Sequence, residues 1–128
     1  MLVYDNGLYK SVSDFKYKIT EIYNLDPDDN HKSFYGKARV IRWENGAVGL
    51  ISYNTIVLFV DPDGNVFDAW GDWSATTGRH IKAFCKRFNL DCYGKKAIEE
   101  LPPVDAKMFN QYETTFDKIK IPSYGYYY

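Results

Sequence analysis

Two turn signals, Glu44-Asn45-Gly46 and Asp61-Pro62-Asp63-Gly64, cut the middle of this 128-residue chain into segments too short for ordinary helices. In the second, proline presets the turn and glycine accepts a positive φ. The segments between the signals are rich in branched and aromatic residues, the types that fit a pleated, half-buried surface. The pattern predicts strands over residues 37–43, 48–53, 55–60 and 65–70, joined as an antiparallel meander. The link around Asn54 has no glycine, which leaves a tight turn and a bulge both open.

Helical spacing flanks the meander. Ser74 is a good N-cap, and Ile81, Phe84, Cys85 and Phe88 fall in one arc of roughly 100°, so a helix is expected from about Ala75 to Phe88. Its opposite side carries Arg79, Lys82, Lys86 and Arg87. Nearer the N-terminus, Val12, Phe15, Ile19, Ile22 and Tyr23 also share an arc of roughly 100°. They predict a helix capped by Ser11 or Ser13 and stopped by Asp26-Pro27-Asp28-Asp29-Asn30. Asp5-Asn6-Gly7 marks a small N-terminal hairpin. A short helix is expected near residues 96–101, stopped by Pro102-Pro103, and residues 116–121 alternate as an edge strand would. The expected fold is α+β: a four- to five-stranded antiparallel meander with helices packed on one face. It is expected to be a single domain over 1–128, with an N-terminal hairpin and helix over about 1–30, a sheet-and-helix core over 33–90 and a C-terminal extension over 102–128.

The formal net charge of −1 gives no whole-molecule drive toward nucleic acid or membrane. The longest apolar stretch, Ile56 to Val60, is too short to span a bilayer. Met1-Leu2-Val3-Tyr4-Asp5 lacks the basic-then-apolar order of a signal peptide. Cys85 and Cys92 are the only cysteines and make no disulfide scaffold, so Cys85 is expected to be a small apolar core residue. These features predict a cytoplasmic chain. Aromatics reach 18%, twelve of them tyrosine, a residue that suits both cores and interfaces.

Motifs of catalysis are missing. His31, His80, Cys85 and Cys92 lack the paired spacing of a zinc site, and on a helix His80 and Cys85 diverge by about 140°. Asp61-Pro62-Asp63-Gly64-Asn65 places its glycine too early for a calcium loop. Ser74, Thr76, Thr77, His80 and the aspartates offer triad residue types without a triad's spacing, and no phosphate loop or dinucleotide fingerprint occurs. Neither an enzyme, a cofactor nor a metal is expected.

Binding features are stronger. Residues 79–96 carry six basic groups and one acid, while residues 61–73 carry four acids and no base. The basic helix face can meet phosphates, with Ser74, Thr76, Thr77, Arg79, Lys82, Lys86 and Arg87 as candidates for nucleic acid or an anion. The acidic hairpin offers Asp61, Asp63, Asp68 and Asp72, and the tail ends in Tyr126-Tyr127-Tyr128, residues suited to a protein interface or a homodimer.

The run Ser33-Phe34-Tyr35-Gly36-Lys37-Ala38, then Ser52-Tyr53-Asn54-Thr55, then Trp73-Ser74-Ala75-Thr76-Thr77-Gly78-Arg79-His80-Ile81 resembles a family of small proteins encoded by phages and mobile elements of gut and other Gram-positive bacteria. The likeness covers roughly residues 33–90 and implies a mobile-element origin more than a mechanism. Small phage proteins without catalytic motifs often work by occupying a host protein. That origin, the missing catalytic motifs, the charge segregation and the aromatic tail together lead to the expectation of a binding protein that inhibits a bacterial defence complex, for instance an anti-CRISPR protein acting on an effector nuclease. In that reading the acidic hairpin imitates phosphate or the tyrosine tail anchors in a pocket. The alternative is a nucleic-acid-binding accessory protein that uses the basic face of helix 75–88.

Overall fold

A computed structural model describes residues 2–5, 8–11, 15–27, 34–69, 74–91 and 94–114. The N-terminal hairpin pairs β1 (Leu2–Asp5) with β2 (Leu8–Ser11). A five-stranded antiparallel sheet follows, in the sequential order β3 (Ile19–Asn24), β4 (Ala38–Trp43), β5 (Val48–Ser52), β6 (Thr55–Val60) and β7 (Val66–Asp68). Helix α1 spans Ala75–Arg87, α2 spans Gly94–Glu99, and the single turn α3 spans Ala106–Phe109. The chain is thus α+β with an open meander sheet, as the turn chemistry predicts.

The turns work as their residues dictate. Gly46 at φ 95 closes β4 to β5, and Gly64 at φ 90 closes β6 to β7. Both lie in the left-handed region that only glycine enters without penalty. The link at Asn54 resolves as a two-residue turn, Tyr53-Asn54, closed by the pair Ser52↔Thr55. A bulge follows, because Leu50 pairs with Leu58 while Ile51 pairs with Ile56. The extra residue is Val57, and its insertion puts Val57 and Leu58 into the same core.

Each sheet face buries a separate core. On one, Val40, Leu50 and Leu58 pack against Ile81, Phe84 and Cys85 of α1 and Ile98 of α2. On the other, Ile41, Trp43, Ile51 and Phe59 meet Val104, Phe109 and Tyr112. The expectation of helices on one face holds for α1 and α2, while α3 belongs to the second face. Trp43 anchors that face: its ring lies edge-on to Phe59 and Tyr112 at 5.5 and 5.2 Å, and its indole N–H donates to the Glu113 carbonyl at 2.8 Å. Gly49 makes room for it, since a Cβ there would stand 3.0 Å from Ile41 Cγ2 and 3.2 Å from both the Leu58 carbonyl and Trp43 Cη2.

Two expectations need correction. Residues 19–24 form edge strand β3, not the second half of a helix. The register shifts between Ile19 and Glu21, so Ile19 and Ile22 reach the same core three residues apart. That spacing imitates a helical stripe, whereas Ile, Thr and Tyr favour the strand. Cys85 is buried as expected but is disulfide-bonded and not a free thiol. The expected edge strand at 116–121, the tail tyrosines Tyr126, Tyr127 and Tyr128, and Asp72 lie outside the described residues. No described helix is long and apolar enough to cross a membrane.

Candidate binding surface

At the end of the sheet where β4 begins and β5 ends, two turns stand side by side. The first is Phe34-Tyr35-Gly36-Lys37, closed by the Lys37 N–H donating to the Phe34 carbonyl at 3.0 Å. Tyr35 at φ 54 and Gly36 at φ 75 give it the sign pattern of a type I′ turn. The second is Tyr53-Asn54, with Tyr53 at φ 59. The Tyr53 N–H donates to the Lys37 carbonyl at 2.7 Å, and the Arg39 guanidinium donates to the Tyr53 carbonyl at 3.2 Å. Pairing of Ala38 with Ser52 puts the two turns on neighbouring strands, about 4.8 Å apart.

Left-handed backbone is costly for a residue with a Cβ, by roughly 1–2 kcal/mol. Only three non-glycine residues among those described adopt it, and two are Tyr35 and Tyr53. These same two are the exposed large hydrophobics of the described chain, at 72% and 43%. One cation lies against an exposed ring, Lys37 Nζ 5.6 Å from the Tyr53 ring centre, and the Arg79 guanidinium lies 5.9 Å from the ring of the buried Phe34 that precedes Tyr35. Segments 34–39, 52–55 and 74–80 contain no acidic residue, while the end of β3 runs alongside through the Leu25 N–H bond to the Ala38 carbonyl at 2.8 Å and carries the exposed Asp26.

A sealed polar clamp lies beneath. Ser52 Oγ is 2.8 Å from His80 Nδ1 and 2.9 Å from Thr77 Oγ1, joining the end of β5 to the first turns of α1. All three residues are buried. The His80 ring is covered by Phe34, edge-on at 4.6 Å, and by Tyr53 at 5.7 Å. Burial, helped by the neighbouring Arg79 charge, pulls the His80 pKa down from 6.5 to about 4, so the ring is neutral at pH 7. A serine beside a histidine is the beginning of a nucleophilic pair. Here Ser52 and His80 are only 2% and 1% exposed, and the Ser52 hydroxyl is also bonded to Thr77 Oγ1, so the arrangement fastens α1 to the sheet. Ser52 escaped the sequence reading. Its signal was its place two residues after Leu50, on the strand face that α1 covers.

The sequence-derived candidates divide. Ser74 caps α1, its hydroxyl accepting the Thr77 N–H at 3.2 Å. Thr77 is buried and belongs to the clamp, 2.9 Å from Ser52 Oγ. Thr76 is half-buried, while Arg79, Lys82, Lys86 and Arg87 are exposed along α1. Near the last turn of α1, Lys86 and Arg87 join Tyr23, Leu25, Asp26 and others around a groove of about 520 Å³. In the acidic hairpin, the Asp61 carboxylate accepts the N–H groups of Asp63 and Asn65 and the Asn65 side-chain amide at 2.8–3.0 Å, so it builds its own turn. Asp63 is exposed at the tip, and Asp68 closes β7 at its far end.

Residues 23–100 match the model of a family of unknown function (DUF8033). The matched span contains both turns, the clamp and all of α1. No curated protein and no solved structure matches.

Proposed function

The chain belongs to the family of unknown function DUF8033, and on that footing we propose that it is a non-enzymatic nucleic-acid-binding accessory protein. The observation that carries the reading is the pair Tyr35 and Tyr53, both exposed on left-handed backbone, with Lys37 against the Tyr53 ring. Backbone held in sparsely populated regions clusters at contact sites. Exposed rings, one of them beside Lys37, with the exposed Arg79, Lys82 and Lys86 carrying positive charge along α1, suit a phosphate-bearing polymer. Binding to a labelled oligonucleotide across a salt series tests this. Affinity that falls steeply as salt rises supports it. No binding at low salt by folded protein defeats it.

A second reading draws on the same rings, since tyrosine and arginine dominate the energetics of protein interfaces. The chain would then block a host protein, such as a bacterial defence complex or CRISPR effector nuclease, as its resemblance to mobile-element proteins implies. Phosphate mimicry by the acidic hairpin is the weaker form of this idea, because the Asp61 carboxylate is already used within its turn. Capture of a stoichiometric protein that survives nuclease treatment, and is lost on replacing Tyr35, would favour the second reading over the first.

A further inference from the structure

We infer that the Tyr35–Tyr53 end of the sheet binds single-stranded nucleic acid, its two rings stacking on unpaired bases while Lys37 and Arg79 contact the adjoining phosphates. The inference rests on the nucleic-acid reading above and names the form of the polymer. Three observations carry it.

The first is where the rings sit. Both are on tight turns at the sheet end and both are exposed, Tyr35 at 72% and Tyr53 at 43%. A duplex hides the faces of its bases and offers backbone and groove edges, whereas an unpaired strand offers a π-face at every base. Protruding rings gain most from the second. The base-edge recognition of duplex DNA relies instead on a helix or ribbon inserted in a groove. The basic face of α1 alone would suit phosphates of either form, so the tyrosines are what separates them.

The second is spacing and rigidity. The two turns are on adjacent strands and are joined by the Tyr53 N–H to Lys37 carbonyl bond of 2.7 Å. Arg39 holds the second turn by donating to the Tyr53 carbonyl and to Asn54 Oδ1. The Tyr53 ring is backed by His80, which is itself fixed by Ser52. Such a platform is organised before a ligand arrives, which lowers the entropy lost on binding.

The third is charge complementarity. Each turn residue that precedes or follows a ring is uncharged or basic, and segments 34–39, 52–55 and 74–80 hold Lys37, Arg39 and Arg79 without an acid. Lys37 lies beside Tyr53 and Arg79 beside Phe34, so a base stacked on this surface brings its phosphates toward a cation. The same cations would repel a basic peptide.

The test is fluorescence anisotropy with a labelled mixed-sequence oligonucleotide of about 12 nucleotides and its duplex form. The single strand is expected to bind at least about tenfold more tightly than the duplex, with a log affinity against log salt slope between about −1.4 and −2.1, about 0.7 for each of two or three phosphates. Tyr35→Gly and Tyr53→Asn should each weaken single-strand binding by roughly five- to hundredfold, the loss of one stacked base. Both replacements suit a left-handed position, so thermal unfolding should show them folded. Equal affinity for duplex and single strand, or no effect of either substitution in folded protein, overturns the inference while the wider nucleic-acid reading stands on α1. Binding to neither form overturns both.

Discussion

Ser52 Oγ and His80 Nδ1 stand 2.8 Å apart inside the molecule, twenty-eight residues apart in the chain, and their hydrogen bond ties the last residue of β5 to the second turn of α1. Both are buried, so losing the bond would leave the His80 nitrogen without the Ser52 hydroxyl. Thr77 Oγ1 adds the third member, 2.9 Å from Ser52. The clamp supports the surface above it, since Phe34 and Tyr53 both lie against the His80 ring.

Ser52→Ala should therefore destabilise the protein by about 1–3 kcal/mol, the penalty of leaving buried polar atoms without partners. Urea unfolding measures it. A midpoint unchanged from the parent would show that the three groups find other partners.

Stability should fall with acid through His80. Its folded pKa of about 4 lies below the unfolded 6.5, so the unfolded chain takes up the proton first. The contribution is complete above about pH 6.5, is lost as pH falls toward 4, and levels off below that, about 3 kcal/mol in all. Urea midpoints for the parent and His80→Phe between pH 7 and 4.5 check the sign: the parent loses more stability than the variant. Parallel curves would remove His80 as the cause.

Tyr35→Gly should leave stability unchanged or raise it. The ring is 72% exposed and its φ of 54 is a glycine conformation, so relief of about 1 kcal/mol of backbone strain offsets little lost packing. A Tm that is unchanged or up to about 4 °C higher is expected. A clear fall would mean that the ring helps hold the fold.

Gly49→Ala should destabilise by roughly 1–3 kcal/mol, the usual result of overfilling a packed site. The added methyl would press on Ile41, Trp43 and the Leu58 backbone together, and the carbonyl cannot move without disturbing the β5–β6 pairing. Chemical denaturation decides it. A neutral outcome would show that the second core has slack around Trp43.

Local chemistry made much of this fold readable. Gly46 and Gly64 terminate strands because their φ values suit no other residue well, and Ser74 begins α1 because its hydroxyl caps a free N–H. Strand β3 was unreadable for a definite reason. A register shift near Thr20 set Ile19 and Ile22 three apart on one face, the interval a helix also uses. The basic residues of α1 were visible as a face, yet nothing local marked Tyr35 and Tyr53 as partners or showed that the hydroxyl of Thr77 points inward.

Turn chemistry and side-chain period depend on neighbours a few residues away, so the sequence alone determined the β4–β7 meander, the span of α1 and the basic side that α1 presents. Partnership between Ser52 and His80, the left-handed exposure of Tyr35 and Tyr53, and the second core around Trp43 were decided only by the tertiary structure. Each depends on strand register and on which face is buried. A shift of one residue in register would turn Ser52 away from His80 and Trp43 out of its core.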